Sequence, residues 1–333
     1  MSNHVPLTDS FGRVHTNLRI SVTDRCNIRC FYCMPNENVV FRPRAEILSF
    51  EEIARLVRVL APLGVNKLRL TGGEPLVRAG LPNLISMLRD VSGIHDIAMT
   101  TNGLLLAEHA EALRAAGLDR LNVSLDGLRE ETFQRIARRE GLHRVLEGIE
   151  AAQRAGFQRI RLNAVAIRGI TEDEIVPLGR FARERHMELR FIEFMPLDAE
   201  NQWQTEQVLT GETIRETLER EFGPLLPADR PDPSQPAVDF QFADGGGRIG
   251  FINPVTQPFC HDCNRLRVTA DGKVRNCLFS TVEWDARQLL RDGASDQEIE
   301  SLVRDCIRQK KPGHGIDSPE FIKPERAMYQ IGG

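Results

Sequence analysis

The chain has no run of about 18 apolar residues, so nothing in it reads as a membrane-spanning helix. Its opening residues, MSNHVPLTDSFG, lack the apolar stretch of a signal peptide. No repeat of solenoid period is present. A net charge of only −4 supplies no global field to gather nucleic acid. No histidine–carboxylate constellation of the acid–base kind stands out. What remains is the composition of a soluble globular protein, 41% hydrophobic and 27% charged, in 333 residues, enough for one large domain or two ordinary ones. The expected location is the cytoplasm, where thiols stay reduced and clustered cysteines read as metal ligands rather than disulfides.

Cysteine is where the chain is informative. Six of its seven cysteines form two trios: Cys26, Cys30 and Cys33 in TDRCNIRCFYC, and Cys260, Cys263 and Cys277 in FCHDCNRLRVTADGKVRNC. Each trio is one short of the four thiolates that close an iron–sulfur or zinc site, and an open metal position is the usual mark of a catalytic centre. The first trio has the spacing C-x3-C-x2-C on a tight loop after a strand, which can wrap one cubane cluster and leave its fourth iron exposed. A zinc site would need a fourth ligand, and the loop holds no histidine. The second trio, C-x2-C-x13-C, is less specific, because a zinc ribbon completed by His261 or Cys306 has the same cysteine pattern. Cys306 itself reads as an apolar residue of the helix SDQEIESLVRDCIRQ.

From residue 17 to about 195, short apolar strands alternate with amphipathic helices. The strands are LRISVT (18–23), KLRLTG (67–72), DIAMTT (96–101), RLNVSLD (120–126), RIRLNAVAI (159–167) and ELRFIEFM (188–195). Such alternation predicts α/β architecture with a parallel sheet and right-handed crossovers. About six βα units make a partial, open (βα)6 TIM-type barrel rather than a closed eight-fold one. Ser49 with Glu52, and Thr171 with Glu174, have capping-box spacing at two helix starts. Beyond a boundary near residue 200 the rhythm changes. The five prolines of PLLPADRPDPSQP (224–236) predict a surface loop without regular structure, and VDFQFA and GRIGFI read as short strands before the second trio. The expected domains are 1–200, with the first cysteine trio, and 201–333, packed onto the barrel and carrying the second.

Strand parity points to a ligand. Arg19, Ser21 and Thr23 share one face of their strand against Leu18, Ile20 and Val22; Lys67, Arg69 and Thr71 oppose Leu68 and Leu70. Asn122 and Ser124 oppose Leu121, Val123 and Leu125, and Arg161 and Asn163 oppose Ile160 and Leu162. If helices cover the apolar face, the polar face points into the barrel. A barrel lined by Arg19, Lys67, Arg69, Arg161 and Arg190 needs a resident counter-ion, since unpaired buried cations cost several kcal/mol each. A polyanion with phosphates suits forked arginine donors. The alternative is a polar face open to solvent, which the alternating helices disfavour.

The first trio, with Tyr32 beside Cys33 and with Thr71-Gly72-Gly73-Glu74-Pro75 one βα unit later, resembles the radical S-adenosylmethionine enzymes. That likeness implies that S-adenosylmethionine chelates the exposed iron and that one electron cleaves it to a 5′-deoxyadenosyl radical. Over nearly the whole chain, through TDRCNIRCFYCMP, KLRLTGGEPLVR, LRFIEFMP and CHDCNRLRVTADGKVRNCL, it resembles the GTP 3′,8-cyclase family of molybdenum cofactor biosynthesis. The resemblance implies two 4Fe-4S clusters, on Cys26, Cys30 and Cys33 and on Cys260, Cys263 and Cys277. It implies that Tyr32, Gly73, Glu74, Ser124 and Met195 bind S-adenosylmethionine, and that Arg19, Lys67, Arg69, Thr100, Arg161, Arg190, Arg265, Leu266 and Arg267 meet GTP. The position of Arg161 is typically lysine in that family, so its contact differs in geometry though not in charge. The tail Gly332-Gly333 is implied to reach the active site and, with Arg19 and Arg69, to serve catalysis. The implied partners are a flavodoxin or ferredoxin as electron donor and, as next enzyme, cyclic pyranopterin monophosphate synthase, with monomer and homodimer both open. The rival readings are another radical enzyme with an auxiliary cluster, such as a peptide-maturing one, and a non-enzymatic iron–sulfur sensor.

Overall fold

Strand and helix alternate as the sequence predicts, in a computed structural model that describes residues 5–35, 38–230 and 232–333. The first stretch runs β1 (Asn17–Ser21), α1 (Phe50–Leu60), β2 (Lys67–Thr71), α2 (Leu81–Arg89), β3 (Asp96–Thr101), α3 (Leu106–Ala115) and β4 (Arg120–Ser124). It continues through α4 (Glu130–Ala137), α5 (Leu142–Arg154), β5 (Ile160–Ala166), α6 (Ile175–Glu184) and β6 (Glu188–Glu193). The second stretch holds α7 (Gly211–Phe222), β7 (Leu225–Pro227), β8 (Val238–Phe242), β9 (Arg248–Ile252), β10 (Arg265–Val268), β11 (Lys273–Arg275) and β12 (Trp284–Asp285). Helices α8 (Ala286–Arg291), α9 (Asp296–Arg308) and α10 (Met328–Ile331) complete it.

Among the described residues twelve strands join one open sheet, in the order β12-β11-β10-β1-β2-β3-β4-β5-β6-β9-β8-β7. The expected six parallel strands are present, but β10 adds in parallel to β1 and β9 adds in parallel to β6. The parallel part therefore has eight strands rather than six, and the chain beyond residue 200 extends the barrel at both edges instead of only packing on it. Leu18, Ile20, Leu68, Leu70, Leu121, Val123, Leu162, Leu189 and Leu266 bury their side chains in one continuous apolar core. Each such burial stabilises the fold by about 1.5–3 kcal/mol. With the apolar parity committed to that layer, the polar parity lies on the inner face.

Local signals mostly read true. Glu52 N–H donates to Ser49 Oγ at 3.1 Å and Ser49 N–H donates back to Glu52 Oε2 at 2.6 Å, a complete capping box. Thr171 and Glu174 do not form one. The Thr171 hydroxyl is taken by the N–H and carbonyl of Ile167, and the Glu174 carboxylate accepts from Leu128 N–H, Arg129 and Thr132. The proline-rich run is not wholly irregular either: β7 pairs antiparallel with β8. An edge strand needs ladder hydrogen bonds on one side only, which leaves room for Pro227.

Candidate active site

The inner face is built from in-register rungs. Arg19 lies directly opposite Arg69 on one side and Arg267 on the other, so three guanidinium groups stand on adjacent strands β10, β1 and β2. Neighbouring strands are about 4.8 Å apart, and like charges directly opposite repel. The next rung sets Arg265, Asn17 and Lys67 side by side. Burial first, and then the neighbouring arginines, push Arg19 and Arg69 well below the usual guanidinium range and Arg267 down to about 9. Arg19 Nε and Arg69 Nε are buried with no hydrogen-bond partner. Further out, carboxylates answer the cations. Glu188 accepts from Arg161 Nε at 2.6 Å and Arg190 Nε at 2.5 Å, Asp232 pairs with Lys67 at 2.5 Å, and Arg120 pairs with Asp96. Arg19 and Arg69, whose Nε atoms have no partner among the described residues, stand between two cavities.

One cavity, of about 620 Å³, is lined by Asn17, Lys67, Arg161, Arg120 and Asp232. The other, of about 260 Å³, is lined by Cys26, Cys30, Cys33, Tyr32, Gly73, Glu74, Thr100, Ser124, Met195 and Arg267. Arg19, Arg69, Arg190 and Arg265 line both and form the shared wall. Leu266, at the opposite parity, is fully buried in the apolar core and borders neither, so its side chain cannot meet a ligand there. The backbone near Gly332 and Gly333 enters the smaller space: Arg267 Nη1 donates to Gly332 O at 2.8 Å and the Thr71 hydroxyl donates to Gly333 O at 2.7 Å.

The cysteine loop and the Gly-Gly-Glu loop are stitched together. Gly73 N–H donates to Thr23 O and Glu74 N–H to Arg25 O, both at 2.7 Å. A Cβ on Gly73 would stand 2.4 Å from Arg25 O, so the glycine permits the approach of one loop's backbone to the other's. Glu74 is buried and accepts from Leu76 N–H, Thr101 Oγ1 and Asn102 N–H, yet burial still raises it to about 7. The Tyr32 hydroxyl donates to Asp126 Oδ2 at 2.7 Å, and burial raises Asp126 to about 6. The three thiols are raised as well, chiefly by burial, Cys26 to about 11. Such thiols are held protonated unless a metal takes them, and three of them around one concave wall suit a cluster.

The second trio lines a separate cavity of about 560 Å³ with Phe279, Lys310, His314 and Phe321. Its electrostatics differ. Burial pushes the Cys263 thiol up, but Arg265 and Lys310 outweigh this and bring it down to about 5. Arg265 Nε and Nη2 both reach Cys263 Sγ at 3.3 Å, so this arginine links the trio to the barrel wall. Cys306 is buried in the apolar core, as its helix position predicted, and His261 is exposed beside Asp262. Among the described residues no three His, Cys, Asp or Glu side chains converge on a single-ion site. Thiolates that each hold a different iron of a cubane need no such convergence.

Comparison with known proteins agrees with this layout. Residues 20–182 match the Radical SAM superfamily and residues 187–316 match Molybdenum Cofactor Synthesis C. A GTP 3′,8-cyclase of Rhodopirellula baltica is 53% identical over 100% of this chain and 94% of its own length. The chain belongs to the GTP 3′,8-cyclase family. Members from Corynebacterium glutamicum and Pelotomaculum thermopropionicum are 45% and 44% identical over 98% of the chain, covering 89% and 100% of theirs. Among solved structures, Streptococcus suis SuiB bound to precursor peptide SuiA has a TM-score of 0.66 at 14% identity, covering 95% of this chain and 76% of that one. Native anSMEcpe with bound AdoMet reaches 0.59 at 17%, covering 94% of both. These two likenesses establish the fold alone. As a radical S-adenosylmethionine family member, the cyclase takes a 4Fe-4S cluster and S-adenosylmethionine.

Parity thus brings together every cation named from the sequence, the first trio and the Gly-Gly-Glu loop share one cavity, and the second trio lines another. Missed were Asn102, whose Nδ2 lies 3.7 Å from Cys26 Sγ, and the carboxylates Asp126, Glu188 and Asp232. Asp126 follows Asn122 and Ser124 at period two, and Glu188 precedes Arg190 by two, so parity contained both. Nothing local marked Asp232, which comes from the proline-rich run. Arg161 spends its Nε on Glu188, a contact directed by the planar guanidinium.

Proposed function

We propose that this cyclase binds GTP between its two cysteine trios and converts it to 3′,8-cyclo-7,8-dihydro-GTP, the first step of molybdenum cofactor biosynthesis. The observation that carries the reading is the Arg267–Arg19–Arg69 rung, in which Arg19 Nε and Arg69 Nε have no partner among the described residues and call for a polyanion midway between the trios. Cys26, Cys30 and Cys33 would hold the first cluster and S-adenosylmethionine would sit on it; when bound, the pair would supply the one-electron chemistry for hydrogen removal from C3′ of the ribose. Tyr32, Gly73, Glu74, Ser124 and Met195 line its cavity. Arg19, Arg69, Arg265 and Arg267 position the nucleotide, with Thr100 beside it, while Lys67, Arg161 and Arg190 exchange Asp232 and Glu188 for the triphosphate. Cys260, Cys263 and Cys277 would hold the second cluster, which when bound would supply a metal anchor for the guanine edge, on the side where Arg265 joins the trio to the barrel wall. Gly332 and Gly333 exclude water from the smaller cavity. Holding the reacting atoms in place is most of what the protein adds to such chemistry.

In this reading residues 1–200 carry the first cluster and residues 201–333 the second. Its chemistry calls for a one-electron donor of the flavodoxin or ferredoxin kind, a reducing compartment such as the cytoplasm, and cyclic pyranopterin monophosphate synthase to consume the product. Among the described residues no helix is long and apolar enough to cross a membrane. GTP titration of the anaerobically reconstituted chain tests the proposal. The expected result is guanine-specific binding that perturbs the spectrum of one cluster; no binding, with both spectra unmoved, would sink it.

A further inference from the structure

Lys310 follows α9 and is 5% exposed, and its hydrogen-bond partners among the described residues are a sulfur and a carbonyl, with no carboxylate. Its ammonium donates to Cys263 Sγ at 3.5 Å and to Arg265 O at 3.1 Å. A buried cation without an anionic partner costs several kcal/mol, so the sulfur is the anion that justifies its place. The backbone around it is clamped from the N-terminal side. Arg13, itself paired with buried Asp9 at 2.6 Å, donates to Lys311 O at 2.8 Å, Pro312 O at 3.1 Å and Cys260 O at 2.8 Å. One arginine thereby fixes the lysine and the cysteine loop relative to each other.

Donors are distributed unevenly. Cys263 receives Lys310 and both arms of Arg265, whereas among the described residues no lysine or arginine donates to the sulfur of Cys26, Cys30 or Cys33. Reduction adds negative charge to a cluster, and N–H donors and cations at the sulfurs stabilise that charge. We propose that Lys310 is a positioning residue that raises the reduction potential of the cluster on Cys260, Cys263 and Cys277 above that of the first, and that it holds Arg265 at the barrel wall through its carbonyl. The proposal rests on the reading that this trio holds a cluster.

The test is an EPR-monitored redox titration of the full-length, anaerobically reconstituted chain, with the second cluster's signal identified by its loss in Cys277→Ala. In Lys310→Met the reduced-to-oxidised ratio of that cluster at fixed potential should fall about tenfold, ~59 mV for a one-electron couple, with the first cluster unmoved. Lys310→Arg should stay near wild type. Lys310→Gln, which keeps a donor without the charge, should fall between and carries the measurement if the Met variant does not load. Wild-type potentials in both uncharged variants would overturn the role of Lys310 alone. Iron for a single cubane in the wild type would overturn the cluster reading, and the proposal with it.

Discussion

Replacing Gly73 with alanine tests how the cysteine loop and the Gly-Gly-Glu loop are joined. Gly73 is not among the residues with positive φ, so alanine meets no backbone penalty there. The added Cβ would lie 2.4 Å from Arg25 O, 2.6 Å from Arg25 C and 2.7 Å from Asp24 O. All three are backbone atoms, so no side chain can swing away and the loops must part. Parting them breaks the bonds from Gly73 N–H to Thr23 O and from Glu74 N–H to Arg25 O. Each lost bond costs about 1 kcal/mol net, and overpacking adds roughly 1–3 kcal/mol, for a total of roughly 3–5 kcal/mol. Anaerobic urea unfolding of wild type and Gly73→Ala measures it, with iron content reporting the first cluster. Gly313→Ala is the control, because its Cβ would meet nothing nearer than Cys260 Cβ at 4.0 Å. A Gly73→Ala protein within about 0.5 kcal/mol of wild type, and fully loaded with iron, would refute the reasoning.

Arg69→Ala should weaken GTP by about 2–5 kcal/mol, the usual cost of truncating a buried charge partner, and guanosine far less; equal losses by calorimetry would make Arg69 structural. His15 is fully buried against Asp9, and burial, then Lys310, lower it to about 4. The unfolded chain therefore takes up this proton first: stability is intact above pH 6.5 and declines by up to about 3 kcal/mol as pH falls to 4. Unfolding at pH 7 and pH 4.5 should show this slope flattened in His15→Gln, and an unchanged slope would contradict it. Gly332→Ala forces a Cβ to 2.8 Å from Ser21 Cβ at φ +88°, so residues 332 and 333 should lose amide-exchange protection and the bonds to Arg267 and Thr71. Wild-type protection would argue against that constraint.

Much of the site was legible because strands have a period of two. Once helices were assigned to the apolar face, Arg19, Lys67, Arg69 and Arg161 had to share an interior. The trios were legible because ligand spacing within a loop is local. What could not be read was long-range pairing. Nothing in RLRV announces that it lies in register with NLRI, nor in RIGFI that it follows β6, because a strand's neighbours are chosen by contacts far apart in the chain. The same limit hid Asp232, which arrives at Lys67 from 165 residues away, and Lys310, whose partners belong to another loop. Leu266 was carried with its two arginine neighbours against the parity that placed them, and its side chain lies in the apolar core.

The origin of the barrel's two parallel edge strands bears on how the chain is made. β1 and β6 emerge early and fold with their helices, but the strands that cover them, β10 and β9, lie between residues 248 and 268. Until that segment leaves the ribosome, a nascent sheet with its cationic interior exposes two raw edges, the kind that recruit other chains. The same residues that complete the barrel wall also cover its edges, so a lesion in RLRV or RIGFI would register as poor yield before it registered as lost turnover.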